Sequence, residues 1–391
     1  MTHIYNENAL DNSISLHTGD LMEALSSWQM AIMDPVGAQQ KVLEALLKIY
    51  EGTEYGRQHH AGQVKDAEEY REAFPAMAYS DYSPLIQPAL QGDHGLLLSE
   101  APVGWTMTRG SGKNQGRSIP YTRFDLDRWA SATQRSILSY VEHSGREDIL
   151  DGVFLNLSFP SGKGKANPGP RETACGPGAA LSTRLALSGL PMGSLPDQAE
   201  IDTLGGGKSD RDWEARFELA FQKCKNQNVT LAGGLASVML DFGAYLHRKY
   251  KVYPKDVWKI PVLIVEGMPG INTRIASVLH AMYGPAAIRE VYSAAEGVFG
   301  QQMDERRAWI PNIDLYYFEV ETRSGIIGMH DMHPGEIGSL IVSTPVLPRY
   351  KIGDLIAAFQ PPYFRCIGRT SQWTTLRYAW DELSTLNFGR L

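Results

Sequence analysis

The chain has 391 residues, of which 43% are apolar and 21% charged, and its formal net charge is −7. That length can bury one large core or two unequal ones, and the composition excludes a disordered or coiled-coil protein. The negative balance argues against a nucleic-acid-coating role, because phosphate backbones call for a basic surface, yet it leaves room for a local pocket that takes one nucleotide.

The N-terminal stretch (MTHIYNENALDNSISLHTGDL) lacks the basic flank and apolar core of a secretory signal. No run reaches the ~18 apolar residues of a membrane helix. The expectation is a cytoplasmic protein with no membrane and no nucleic-acid partner. Cys175, Cys224 and Cys366 are odd in number and far apart, so buried thiols are expected rather than a disulfide framework or a zinc site. His59 and His60, like His330 and His333, lack an acidic or cysteine neighbour at ligand spacing, and no structural metal is expected.

Over residues 20–50, Leu21, Leu25, Trp28 and Ile32, then Val42, Leu43, Leu46, Leu47 and Tyr50 recur at helical spacing. This predicts two helices broken near Pro35. Residues 79–84 and 92–95 are turn-rich and lead into a short apolar piece at 96–99. Residues 106–120 (TMTRGSGKNQGRSIP) form a glycine and hydroxyl loop. After it, Leu126, Trp129, Thr133, Ile137 and Tyr140 share one face of a helix over 124–141, and residues 153–157 read as a buried strand. Residues 161–178 are rich in Gly, Pro and Lys and read as irregular, either a mobile surface loop or part of a substrate entrance. Residues 204–209 (LGGGKS) suggest a phosphate loop, but the full pattern needs a glycine where Asp202 stands, and that reading is set aside.

Residues 261–292 give the clearest local architecture. Val262, Leu263, Ile264 and Val265 form a continuous apolar run, as in a strand buried on both faces. Residues 272–283 are amphipathic and stop at Gly284 and Pro285, and 287–292 return as a strand. This is a β-α-β crossover, so the sheet should be parallel. Ligands at such sheets bind beyond the carboxyl ends of the strands, which puts residues 266–270, with Gly267 and Met268, on the same rim as Ser293, Ala294 and Glu296. From Leu315 onward, residues 315–321, 339–344, 350–359 and 363–368 are short alternating strands, an antiparallel, barrel-like subregion.

Three segments can carry chemistry. In the glycine loop, Gly110, Gly112 and Gly116 let backbone N–H groups approach an anion. Thr106, Thr108, Ser111 and Ser118 add donors, and Arg109, Lys113 and Arg117 offset phosphate charge. A polar surface turn has the same composition. Glu296 is the kind of carboxylate that holds Mg²⁺ against nucleotide phosphates, and equally the kind that caps a helix. Tyr292 can stack on an adenine. Asp354, which follows Gly353 and the basic pair Arg349 and Lys351, can accept from both ribose hydroxyls, although Gly-Asp is also a frequent turn pair. In this order and at these separations, the three point to an enzyme that activates a carboxylate with ATP.

The same segments resemble the signature motifs of acyl-adenylate-forming enzymes, in particular the auxin-responsive acyl acid–amido synthetases (the Gretchen Hagen family) and their bacterial relatives. The family's loop, Ser-Ser-Gly-Thr-(Ser/Thr)-x-Gly-x-x-Lys-x-Ile-Pro, lines up with residues 108–120 without a gap. Its second motif, Tyr-x-(Ala/Ser)-(Ser/Ala)-Glu-Gly, is matched by residues 292–297. Its third, Tyr-Arg-x-Gly-Asp, is matched by residues 350–354 with Lys351 in the arginine position. Residues 53–57 and 79–92 look like the family's lead-in to its loop, so the resemblance covers most of residues 20–370.

The resemblance implies an α/β fold: the large N-terminal domain of an adenylate-forming enzyme, with mixed and parallel sheets flanked by helices and a small antiparallel barrel-like subdomain. Residues 1–369 would be the adenylation domain, 310–369 its barrel-like part, and 370–391 a hinge and the stub of an absent C-terminal domain. ATP and Mg²⁺ are the implied cofactors. Thr108, Arg109, Gly110, Ser111, Gly112 and Lys113 would bind phosphate, and Ser111, Arg117 and Glu296 would be catalytic, with Glu296 on the metal. Tyr292, with Ser293 and Ala294, would lie at the adenine, Asp354 on the ribose and Arg369 on the nucleotide. Trp129, Thr133, residues 161–178, Gly267 and Met268 would line the acyl pocket.

A carboxylate oxygen of a small acid would attack the α-phosphorus of ATP, releasing pyrophosphate, and the acyl group would pass to an amine or amino acid. A thiol acceptor, coenzyme A or a carrier protein, is the alternative, and a catalytically degenerate nucleotide-binding scaffold is a third. Arg109, Asn114 and Arg117 depart from the family's loop. Family members also continue into a C-terminal domain of about a hundred residues. The expectations are then that the protein stops at the adenylate, borrows that domain from a partner protein, or completes transfer with an open site.

Overall fold

The apolar periodicity near the N-terminus builds α1 (Thr18–Met33) and α2 (Pro35–Glu51). The break falls as expected at Pro35, which opens α2 where a missing N–H is harmless, and Asp34 caps the Gly37 N–H at 3.1 Å. These helices dock on strands far along the chain: the Trp28 indole donates to the Pro311 carbonyl at 2.9 Å and the Tyr50 hydroxyl to the Thr344 carbonyl at 2.6 Å. The computed structural model describes residues 18–107, 117–160, 174–176, 185–187, 189–204, 206 and 209–370. Residues 108–116 of the glycine loop and 371–391 of the expected hinge and stub lie outside them.

Residues 79–84, expected as a turn, instead begin α3 (Tyr79–Leu90), a helix with Pro84 and Pro88 inside it. Each proline removes a helical hydrogen bond. Burial decides the outcome: Tyr82, Ile86 and Ala89 pack into the core, and the Tyr82 hydroxyl bonds the Pro348 carbonyl. The next helix, α4 (Arg123–Ser144), starts where the Asp125 carboxylate accepts from the Thr122 N–H at 2.8 Å and ends at Gly145 in the left-handed region. Its expected face is buried, and so are Gln134, Arg135, Ser136 and Ser139 on its flanks. Arg135 is matched there by Asp314 at 2.5 Å and Asn312 at 2.9 Å.

The main sheet has seven strands in the order β10-β9-β8-β7-β6-β3-β5. These are β3 (Val153–Asn156), β5 (Gly193–Leu195), β6 (Val229–Leu235), β7 (Val262–Glu266), β8 (Ala287–Ala294), β9 (Gly297–Gln301) and β10 (Ile310–Pro311). The strands from β5 to β8 are parallel, and β9 and β10 add an antiparallel edge. The β7–β8 crossover is the unit expected from sequence; its helix, α5 (Ala276–Tyr283), is preceded by a π-helical turn, Ile271–Ile275.

A five-stranded antiparallel sheet follows, in the order β12-β11-β13-β14-β15. It comprises β11 (Tyr317–Thr322), β12 (Gly325–Gly328), β13 (Ile337–Ser343), β14 (Tyr350–Ala358) and β15 (Phe364–Arg369). A small third sheet joins β1 (Gly104–Met107) to β2 (Ser118–Tyr121) and to β4 (Ala174–Gly176). Part of the segment 161–178, expected as irregular, is therefore a strand, held by parallel pairing with β1; residues 161–173 and 177–178 lie outside the described residues. Ser209 of the rejected phosphate loop caps a helix through the Asp212 N–H.

Candidate active site

The site forms where the carboxyl ends of β7 and β8 meet the five-stranded sheet. Strands β8 and β9 make a tight hairpin in which Ala294 pairs with Gly297, leaving Ala295 and Glu296 as its tip. A Cβ at Gly297 would lie 2.9 Å from both the Tyr316 hydroxyl and the Phe299 ring, so a side chain there would displace them. Thr106, at the end of β1, donates to the Ala295 carbonyl at 2.7 Å, so the chain enters its glycine loop against this hairpin. Thr108, Arg109, Gly110, Ser111, Gly112 and Lys113 lie outside the described residues. The chain reappears at Arg117, whose guanidinium lies over the Tyr79 ring and donates to the Tyr350 hydroxyl at 3.0 Å. That phenol also interacts with Glu296, which is only 4% exposed.

Asp354 lies on β14, paired in register with Arg369 on β15. Gly353 before it adopts φ +89°, a conformation that side chains rarely take. Arg369 donates to Oδ1 of Asp354 at 2.5 Å and the Tyr292 hydroxyl to Oδ2 at 2.5 Å. A carboxylate has about four acceptor positions, so one position on each oxygen remains for a pair of hydroxyls. The Tyr292 ring is stacked on Trp309 at 4.8 Å and 5° and is largely buried, so it forms a wall of the site more than an open platform. Ser293, next along β8, hydrogen-bonds Glu266 at the end of β7. Arg349 and Lys351 turn away from this centre: Arg349 pairs with buried Glu319 at 2.8 Å, and Lys351 with exposed Glu321 at 3.0 Å.

Burial pushes the carboxyls of Glu296, Asp354 and Glu266 above their ordinary values. Hydrogen bonding from Tyr350 and the charge of Arg117 pull Glu296 partly back, and Arg369 and Tyr292 do the same for Asp354. Burial also raises Tyr292 and Tyr350, which keeps both phenols protonated and therefore donors.

The acyl-side residues are arranged differently. The Trp129 ring packs on Tyr121 at 5.5 Å, and its buried Nε1 has no hydrogen-bond partner among the described residues. The Thr133 hydroxyl is used inside its own helix, donating to the Trp129 carbonyl at 2.7 Å. Gly267 follows β7 with φ +89°, a conformation that residues with a side chain rarely adopt. Met268 packs against the helices that cover the main sheet. Sequence reasoning missed Tyr350 as the link between Arg117 and Glu296, although it opens a motif that was recognised. It also missed Glu290 and Arg365, whose signal was a charged residue inside a strand expected to be buried.

A parallel α/β sheet joined to an antiparallel one, with Arg117, Glu296 and Asp354 near the seam, is the fold shared with adenylate-forming enzymes. The chain superposes on an acyl acid amido synthetase, AtGH3.15 in complex with 2,4-DB, with a TM-score of 0.74 at 16% identity, covering 90% of this chain and 71% of that one. A 2-hydroxyisobutyryl-CoA ligase shares the fold at a TM-score of 0.58 and 16% identity, over 91% of this chain and 76% of that one. At the family level, residues 24–174 match the GH3 family N-terminal domain. The probable indole-3-acetic acid-amido synthetase GH3.7 of Oryza sativa subsp. japonica is 28% identical over 138 residues, 32% of this chain. Indole-3-acetic acid-amido synthetase GH3.2 of Arabidopsis thaliana is 29% identical over 108 residues, 27% of this chain. The matched stretches span only 22% and 20% of those two relatives. The resemblance read from the three motifs therefore holds: this chain is similar to the GH3 acyl acid amido synthetases in sequence over its N-terminal part and in fold over most of its length.

Proposed function

We propose that this protein activates a small carboxylic acid with ATP, forming an acyl-adenylate and pyrophosphate, and passes the acyl group to an amine to give an amide. The observation that carries the reading is the convergence of Arg117, Tyr292, Glu296, Asp354 and Arg369 at the carboxyl ends of the parallel strands. In this reading Asp354, held by Tyr292 and Arg369, accepts the ribose hydroxyls. Arg117 and the loop residues around Ser111 meet the phosphates, while Ser293 and Ala294 border the base. Trp129, Thr133, Gly267 and Met268 border the acid.

No group of three His, Cys, Asp or Glu side chains is gathered for a metal among the described residues. Magnesium commonly rests on one or two carboxylates plus phosphate oxygens, and Glu296 at the hairpin tip fits that donor set. The ion would neutralise phosphate charge when bound. The protein's own part is positional: Arg117 and Tyr350 orient Glu296, and Tyr292 and Arg369 orient Asp354. Such positioning and charge stabilisation suffice for an attack that needs no protein nucleophile. The amine acceptor is supported by the family match over residues 24–174.

The test is pyrophosphate release from ATP and MgCl₂ across a panel of aryl and aliphatic acids, each with no acceptor, with amino acids, or with coenzyme A. Release that depends on one acid and is stimulated by an amino acid is the expected result. Stimulation by coenzyme A alone would replace the amine with a thiol, and silence across a panel with ATP bound would defeat the reading.

A further inference from the structure

Among the charged residues that interrupt the strands behind the site are Glu290 on β8, beside Arg289, and Arg365 on β15. Glu290 and Arg365 are 3% and 1% exposed. The guanidinium of Arg365 donates to both Glu290 oxygens, at 2.9 and 3.2 Å, and so joins the seven-stranded sheet to the five-stranded one. Oε2 of Glu290 also accepts from Asn272 at 2.8 Å. Asn272 belongs to the π-helical turn just after Gly267 and Met268, and donates in addition to Gln302 at 2.7 Å. Arg365 lies over Trp309, 4.6 Å from the ring centroid, and Trp309 stacks on Tyr292, which holds Asp354. Glu290 and Tyr292 are two apart on one strand, so they share a face.

Three edges of the site are thus tied to one buried carboxylate. A buried ion pair adds little stability over apolar side chains of the same size, so packing alone gives no reason for it. A bidentate pair does impose direction, because its two parallel bonds accept one orientation.

We propose that Glu290 and Arg365 are positioning residues that set the spacing between Tyr292 and Glu296 on one sheet and Asp354 and Arg369 on the other. Asn272 extends the same control to the rim at Gly267 and Met268. The proposal rests on the adenylation reading, and neither residue touches a reacting group.

The double variant Glu290→Met/Arg365→Met tests it, since it avoids the lone buried charge that either single change leaves. Circular dichroism and a thermal melt establish that it folds. Two readouts follow: the Kd for ATP with MgCl₂ by titration calorimetry, and a crystal structure. Affinity should weaken ~10- to 100-fold, the scale that follows from losing the fixed orientation of two nucleotide-facing side chains, and the Tyr292–Asp354 hydrogen bond should open beyond roughly 3.5 Å. Wild-type affinity, or an intact Tyr292–Asp354 bond, in the folded double variant overturns the proposal. Should the double variant not fold, Trp309→Phe, which thins the stack between Arg365 and Tyr292 and keeps the ion pair, takes its place. It should weaken ATP binding ~3- to 10-fold, the scale of one side chain losing its fixed orientation, and unchanged affinity overturns the proposal. A wild-type protein that does not bind ATP would end the adenylation reading, while the crystallographic arm would still decide whether the pair sets the spacing.

Discussion

Replacing Tyr292 with Phe removes one hydroxyl and leaves the ring on Trp309. That hydroxyl donates to Oδ2 of Asp354 at 2.5 Å, in a place where both residues are largely buried. A hydrogen bond to a charged acceptor contributes ~1.5–3 kcal/mol. With about 2–4 °C per kcal/mol for chains of somewhat smaller size, Tm should fall by about 3–12 °C. Nucleotide binding should weaken by less, because the carboxylate keeps Arg369 and both outward acceptor positions. What is lost is its fixed orientation, and ordering one side chain costs ~0.5–1.5 kcal/mol, a factor of about 2 to 12 in Kd. Scanning calorimetry and titration with ATP and MgCl₂ measure the two effects on one sample. A lower Tm with tighter ATP binding would refute the reasoning, since it would mean that the Tyr292 hydroxyl competes with the nucleotide for Asp354.

Glu296→Gln should abolish Mg²⁺-dependent pyrophosphate release with Tm within a few degrees of wild type; full activity in a folded variant would remove Glu296 from the site. Because burial holds Glu296 above the ordinary glutamate value of 4.5, activity should fall with decreasing pH through a limb above that value, as protonation removes the charge that faces the metal. A profile flat down to that value would contradict this. Arg349→Ala should destabilise by ~3–5 kcal/mol, because it leaves Glu319 buried with only the half-exposed Arg71 as partner, and denaturant melts would show whether it does. Asp125 is pushed up to about 6 by burial, against its bonds to Thr122. Its contribution is fully present below the unfolded value of 3.8 and is lost as pH rises through about 6. Relative to Asp125→Asn, the wild type should therefore lose up to about 3 kcal/mol of stability between pH 4 and pH 7, and a pH-independent difference would contradict the assignment.

The β7–β8 crossover was legible because a run of apolar residues, an amphipathic stretch and a Gly-Pro stop each constrain one element locally. The three motifs were legible because their glycines and charges stand out against such strands. Helix α3 was not, because Pro84 and Pro88 read locally as turn formers, while the burial of Tyr82 and Ile86 that overrides them depends on partners some 260 residues away, as the Tyr82–Pro348 bond shows. Strand β4 was hidden in the same way by its glycine-rich surroundings, since the support it has among the described residues is pairing with β1. Arg117 and Tyr350 are 233 residues apart and Glu290 and Arg365 are 75 apart, distances at which neither periodicity nor motif spacing carries information.

Acid-dependent ATP–pyrophosphate exchange, run in parallel on the wild type and Glu296→Gln, decides whether this site adenylates an acid, because it reports reversible adenylate formation without requiring any acceptor. Exchange should appear only with a matching acid and Mg²⁺ and vanish in the variant. Exchange that persists in the variant, or its absence with every acid while ATP binds, would contradict adenylation at this site.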